Sequence, residues 1–225
     1  ANTIGQATQS VTVDCYAVVI EGYYRDEDII IERNYIKNVC YGIAMSSRNT
    51  LNDGGYYTIF KNIRISYNVF ESIGVDDSEP SGNNYGSINT ISENNRASID
   101  NLEIINNICS AKVGTYAVNY GLKVGSMPST NVTIRNNIIL NFDKAPIYGT
   151  NHSDPLITVS NLSIENNIFY GNGNSNAPLY EGGLDPDDVT QNNIIDDPDF
   201  VGTGTPPLNY KLTSGSPARD AGIEV

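Results

Sequence analysis

The side chains that could do chemistry sit in a few short stretches. Asp76-Asp77-Ser78-Glu79 sets three carboxylates within four residues. Two carboxylates held roughly 5 to 9.5 Å apart can flank a glycosidic bond, one as acid and the other as base or nucleophile. The Pro80-Ser81-Gly82 that follows is ordinary turn chemistry, so a solvated acidic loop is the plainer reading. His152 is the single histidine and stands with Asp154 in Thr150-Asn151-His152-Ser153-Asp154-Pro155, so any imidazole-dependent proton transfer must use it. Lone histidines are as a rule incidental. Arg48, Asp53, Tyr56 and Tyr57 lie between Ser46 and Phe60, and Arg96 follows in Ser92 to Ser98. Together they offer the donors, acceptors and aromatic faces that hold a sugar, although Arg48 and Asp53 could equally form a surface pair of little energetic weight. Asp196, Asp197 and Asp199 could ligate Ca²⁺ through oxygen, but their spacing fits no loop with a defined coordination pattern, and Asp-Pro is more simply a turn.

These residues need a scaffold, and the scaffold is legible as a repeat. Asn131-Val132-Thr133-Ile134-Arg135-Asn136-Asn137-Ile138-Ile139 recurs as Asn161 to Phe169 and as Asn101 to Cys109. Looser copies run over Asn62 to Phe70 and Ile29 to Ile36, with a shortened one at Val189 to Ile195. The second Asn of each unit falls at 34, 68, 107, 137, 167 and 193, in steps of 34, 39, 30, 30 and 26. Units of that length with alternating apolar runs and no helical period predict a β-solenoid, one coil per repeat, with the unequal steps absorbed by loops. Val132-Thr133-Ile134 has the period of a strand with one face inward. The Asn-Asn after it is a corner, because Asn tolerates the left-handed region better than any other residue bearing a β-carbon. If each Asn sits above its counterpart about 4.8 Å away, the amides pair along the axis, which a buried amide requires. Sequons begin at Asn131, Asn151 and Asn161, two of them in or beside these strands.

A second register lies between the Asn units: Cys40-Tyr41-Gly42-Ile43, Asn84-Tyr85-Gly86-Ser87-Ile88, Asn119-Tyr120-Gly121-Leu122, Ile147-Tyr148-Gly149 and Leu179-Tyr180. With Tyr16 these form a candidate Tyr ladder, whose stacking would add roughly 0.5 to 1.5 kcal/mol per pair. Structural stacking is the preferred reading over a sugar-binding stripe. Cys15 and Cys40 begin matching stretches and should stack in adjacent coils; that places them within disulfide reach, but stacked free thiols are the plainer reading.

The 225 residues suit one domain, with coils over 11–195 and a closing segment over 196–225. Residues Ala1 to Ser10 carry little pattern and read as an extended lead-in. The net charge of −13, with 13 Lys+Arg against 26 Asp+Glu, argues against nucleic acid or an anionic membrane as partner. It also weighs against a strongly anionic substrate unless a metal such as Ca²⁺ intervenes. No apolar run has the length of a membrane-spanning helix. A surface rich in Asn, Ser, Thr, Gly and Tyr reads as a mature extracellular protein whose leader is removed or lies outside this chain. There is no Trp, so only Tyr and Phe can serve as sugar platforms.

Near the end the chain runs Asn192-Asn193-Ile194-Ile195, Asp197-Pro198-Asp199-Phe200, then Tyr210-x-Leu212-x-x-Gly215-Ser216-Pro217-Ala218-x-Asp220-Ala221-Gly222. This order resembles the C-terminal end of secreted bacterial right-handed parallel β-helix proteins of the pectate-lyase-like superfamily. The resemblance implies an all-β, right-handed parallel β-helix of about six or seven coils with Asn and Tyr ladders. That superfamily includes lyases, hydrolases, epimerases, adhesins and phage tailspikes, so the implied activity is open. Arg219 stands where the family usually has an apolar residue, and the further segment ending in Asp-Ile-Gly-Ala-x-Glu does not follow before Val225. With no evident N-terminal cap, the expectation is a piece of a longer polypeptide.

Two functions are therefore expected from different classes. One is an extracellular carbohydrate-active or carbohydrate-binding protein acting on a polysaccharide; if it is an enzyme, it is a lyase or a glycoside hydrolase. The other is a fibre, adhesin or tailspike-like component whose open coil ends pair with other copies or flanking segments.

Overall fold

The computed structural model describes residues 2–5, 16–21, 25–47, 58–74, 85–92, 97–111, 119–125, 127–149, 159–173, 180–182, 189–202 and 210–222. Within them the strands fall into six successive triplets. The first is β1 (Asn2–Gly5), β2 (Tyr16–Glu21) and β3 (Arg25–Glu32); the second is β4 (Asn34–Val39), β5 (Tyr41–Ser47) and β6 (Thr58–Ser66). Next come β7 (Val69–Ile73), β8 (Tyr85–Ser92) and β9 (Ala97–Ile105), then β10 (Ile108–Ala111), β11 (Asn119–Val124) and β12 (Ser129–Arg135). The last two triplets are β13 (Ile138–Leu140), β14 (Ile147–Gly149) and β15 (Val159–Glu165), followed by β16 (Ile168–Tyr170), β17 (Tyr180–Gly182) and β18 (Val189–Gln191).

Each member of a triplet pairs in parallel with the same member of the next. Sheet A takes the first strands in the order β1-β4-β7-β10-β13-β16, sheet B the second and sheet C the third. The chain is thus a right-handed parallel β-helix, the hand that parallel crossover connections take. Columns of like residues fill its interior: Ile63, Leu102, Val132 and Leu162 from sheet C; Phe70, Cys109, Ile139 and Phe169 from sheet A; Ile43, Ile88, Leu122 and Ile147 from sheet B. The winding starts earlier than the sequence reading placed it. Asn2–Gly5 is not a lead-in but pairs with β4, with Asn2 opposite Asn34.

The corner between sheets C and A is the Asn-Asn unit, with the two positions doing different work. Arg33, Tyr67, Asn106, Asn136, Asn166 and Asn192 take φ between 53° and 57°, the left-handed turn. The residue after each belongs to a ladder. Nδ2 of Asn34, Asn68, Asn107, Asn137 and Asn167 donates to Oδ1 of the next ladder Asn at 2.9 to 3.1 Å. The same Oδ1 also accepts the backbone N–H of the preceding ladder Asn, at 2.9 to 3.0 Å. The second amide hydrogen goes to a backbone carbonyl of the coil before, as from Asn137 to Ile104 at 2.8 Å. Every donor and acceptor of a buried amide is used, which is the condition for burying it.

A second set of left-handed residues bends the long sheet C strands: Asp28, Asn62, Asn101, Asn131 and Asn161. Asn62 Nδ2 donates to Asp28 Oδ1 at 2.8 Å, Asn101 to Asn62 at 3.1 Å and Asn161 to Asn131 at 3.0 Å, while Asn131 turns to Asp100 at 3.1 Å. The amides of two sequon asparagines, Asn131 and Asn161, are committed to this outer ladder.

Glycine in the Tyr-Gly register makes room for sheet A. A Cβ on Gly42 would come within 2.6 Å of the Phe70 ring, and one on Gly121 within 2.4 Å of the Pro146 carbonyl oxygen. The stacked tyrosine pairs described are Tyr16–Tyr41, at 4.6 Å and 16°, and Tyr120–Tyr148, at 4.1 Å and 23°. The side chain of Tyr85 lies outside the described residues. Cys40 is disulfide-bonded, Cys109 is a free buried thiol, and Cys15 lies outside the described residues.

After β18 the chain turns back on itself. Phe200 and Leu212 form an antiparallel bridge, with Val201 N–H on the Lys211 carbonyl at 2.8 Å and Thr213 N–H on the Asp199 carbonyl at 2.9 Å. The Ser216 hydroxyl donates to the Pro198 carbonyl and accepts the Ala218 N–H at 3.0 Å. That fixes one physical role within the Gly-Ser-Pro-Ala motif: Ser216 joins the two legs of the closing segment.

Candidate functional site

Sheet B is where the long connections converge. The segments 48–57, 75–84, 93–96, 112–118, 150–158, 174–179 and 183–188 all lead into or out of its strands. Insertions leaving a repeat tend to build its working face, so the outer face of sheet B is the candidate surface. The register sets one outward column along it, Val19, Ala44, Asn89, Lys123 and Tyr148.

Lys123 is the chemically distinctive member. Leu122 and Val124 on either side of it are buried in the core, so strand alternation points Lys123 away from the core. It is nevertheless mostly buried, and loss of hydration lowers the pKa of its ammonium. It makes no ion pair among the described residues. On the next rung Asn89 is fully buried on the same outward column; its Oδ1 has no donor, and its Nδ2 reaches the Gly86 carbonyl only at 3.5 Å. On the other side stands Tyr148, stacked on Tyr120. An amine made easier to deprotonate and an aromatic pair can bind hydroxyl-rich ligands, and the amine can take a proton; Asn89, fully buried, lies beneath them.

The residues singled out from sequence divide in two. Arg48, Asp53, Tyr56, Tyr57, Asp76, Asp77, Glu79, Arg96, His152 and Asp154 lie outside the described residues, though every one belongs to a segment attached to a sheet B strand. Asp196, Asp197 and Asp199 are described, and their carboxylates serve the turn. Asp196 Oδ1 accepts the Asp197 N–H at 2.8 Å, and Asp197 Oδ1 the Asp199 N–H at 2.9 Å; Asp199 Oδ2 accepts the Thr213 hydroxyl. Among the described residues no three His, Cys, Asp or Glu groups gather as metal ligands would.

Sequence reasoning missed Lys123. The signal was present in Gly121-Leu122-Lys123-Val124, where a cation stands between two core aliphatics at strand period, in a chain with only 13 Lys+Arg. No family model, curated protein or solved structure matches the chain.

Proposed function

We propose that this is an extracellular, carbohydrate-binding or carbohydrate-active β-helix that receives a polysaccharide along the outer face of sheet B. The observation that carries the reading is Lys123, a mostly buried cation without an ion pair among the described residues, set between the buried Asn89 and the stacked Tyr148. Burying an unpaired charge costs stability, so its place on the outward face fits a role in binding or proton transfer better than a role in folding. The resemblance of the closing segment to the pectate-lyase-like superfamily supports the same substrate class. A Ca²⁺ ion bridging acidic loop and glycan belongs to this proposal. If bonds are cut, the lowered Lys123 pKa suits a base abstracting a proton, as in a polysaccharide lyase; carboxylates in the sheet B connections would serve a glycoside hydrolase.

The test is affinity electrophoresis against neutral and anionic polysaccharides, with and without Ca²⁺, followed by product analysis. Retention of at least one glycan is expected; an unsaturated product end marks a lyase and a new reducing end without unsaturation marks a hydrolase. Retention of none sinks the proposal. The competing proposal, end-to-end assembly of a structural fibre, is weakened by β3. Outermost of the described strands of sheet C, β3 with the residue after it carries Arg25, Asp26, Glu27, Asp28, Glu32 and Arg33, charge of the kind that disfavours edge pairing. Sedimentation showing concentration-dependent polymers would reverse that ranking.

A further inference from the structure

The closing segment does not cap the end of the solenoid; its described part lies along the outer face of sheet A. Phe70, Cys109, Ile139 and Phe169 of that sheet fill the core, so alternation sets Tyr35, Lys37, Glu71, Ser110, Leu140, Ile168 and Tyr170 outward. Leu140 and Ile168 are only 5% and 3% exposed although they face outward, so this face is covered. Three contacts tie the closing segment to the sheet. Tyr210 donates its hydroxyl to Glu71 Oε2 at 3.2 Å, beside Tyr35, which donates to the same oxygen at 2.7 Å. The Asp197 carboxylate near the Tyr170 hydroxyl raises the pKa of that phenol, and Gly222 lies against the Asn136 side chain. Tyr210 is further fixed by the edge of the Phe200 ring, 5.2 Å between centroids and 87° apart.

We infer that residues 196–202 and 210–222 form a strap that opens as a unit while the β-helix stays folded, with the Tyr210–Glu71 hydrogen bond as its catch. The two parts differ in how they are held. Strands of the helix are joined by continuous parallel ladders and by the Asn ladder. The strap's own backbone bonds among the described residues run within it, Val201 to Lys211, Thr213 to Asp199, Ser216 to Thr213 and Arg219 to Ser216. Segments held by few contacts open at lower free energy than the core that carries them. A carboxylate accepting two phenol hydroxyls is the strongest polar tie between strap and sheet, because hydrogen bonds to a charged group exceed neutral ones. Opening frees the outer face of sheet A around Glu71 and Tyr35.

Native-state hydrogen exchange on the whole chain tests this with Tyr210→Phe, which keeps the ring and removes only the donor. The expected result is exchange at Val201, Thr213, Ser216 and Arg219 accelerated about tenfold, with amides of β9, β12 and β15 unchanged. Glu71→Gln, which keeps an acceptor but removes the charge, is expected to accelerate the same four amides to a smaller degree. Acceleration of strap and strand amides together would overturn the inference, since the strap would then open only with the helix. Unchanged exchange at the four amides in Tyr210→Phe would overturn it as well, because the catch would hold nothing.

Discussion

Asn106 and Asn107 are neighbours of one residue type with opposite duties. Asn106 supplies a backbone conformation, φ 57°, and Asn107 supplies an amide that spends two donors and accepts two hydrogen bonds from Asn68. Asn107→Ala would leave the Ile65 carbonyl and two N–H groups of Asn68 without their partners in a dry interior, costing on the order of 3 kcal/mol or more. Asn106→Gly keeps the left-handed turn free of a Cβ penalty and should change stability by no more than about 0.5 kcal/mol. Urea unfolding of the two variants separates them; equal costs would mean that the pair acts through side-chain burial alone. The ladder could be read from sequence because a repeated buried amide has one economical solution, stacking. Arg33 and Tyr67 at the turn position could not, since neither residue prefers φ near 57°, and only their place before a ladder Asn betrays them. The outer ladder through Asn62, Asn101, Asn131 and Asn161 went unread for a related reason. Its asparagines stand inside single unbroken strands, and the signal was small: one slip in the alternation, where the polar pairs Lys61-Asn62 and Asp100-Asn101 set core residues three apart instead of two.

At the scale of the element, the Tyr-Gly register drew notice for its tyrosines, and the glycines proved the more constraining. Gly121→Ala would drive a Cβ to 2.3 Å from Ile139 Cγ2 and 2.4 Å from the Pro146 carbonyl, so β11 or its neighbour must shift. A loss of about 1 to 3 kcal/mol is expected, as for an overpacked core, whereas Gly215→Ala, with nothing within 4 Å, should cost almost nothing. Thermal unfolding measures both, and equal losses would remove the steric account. Sequence could not show this because the groups a new Cβ would meet, the Ser87 carbonyl and Phe70 ring at Gly42 and Ile139 and the Pro146 carbonyl at Gly121, come from the next coil, and only the winding brings them together. The two phenols on Glu71 give sheet A and the strap a pH dependence. Burial and then the Glu71 bond and charge raise Tyr35 well above its ordinary 10; burial and then Glu71 raise Tyr210, with Tyr35 adding and Ser110 opposing, and Lys37 the cation over the Tyr35 ring. The fold therefore favours the neutral phenols, so their contribution is full below pH 10 and is lost as pH rises through the higher folded values. An alkaline titration should show two tyrosines ionising late, together with loss of strap protection; all tyrosines ionising together near pH 10 while the fold is intact would contradict it.

For the whole molecule, the repeat predicted the parallel β-helix, and spacing alone gave both the ladder Asn and its steps of 34, 39, 30, 30 and 26 residues. The candidate site was legible only by position. Ten of the chosen residues belong to segments joining sheet B, but Lys123 sits within a strand whose neighbours read as core. Its environment also makes it separable from the fold. A mostly buried ammonium with no ion pair among the described residues works against stability at neutral pH, because folding favours the deprotonated form. Lys123→Met keeps the length and the apolar stem while removing that cost. The decisive measurement is therefore paired on one sample: urea unfolding and glycan retention of Lys123→Met beside the parent chain, using whichever polysaccharide the parent retains. The account predicts a variant more stable by about 1 kcal/mol that has lost glycan retention. A variant that retains the glycan undiminished, whatever its stability, would contradict the claim that the outer face of sheet B at Lys123 is where this protein works.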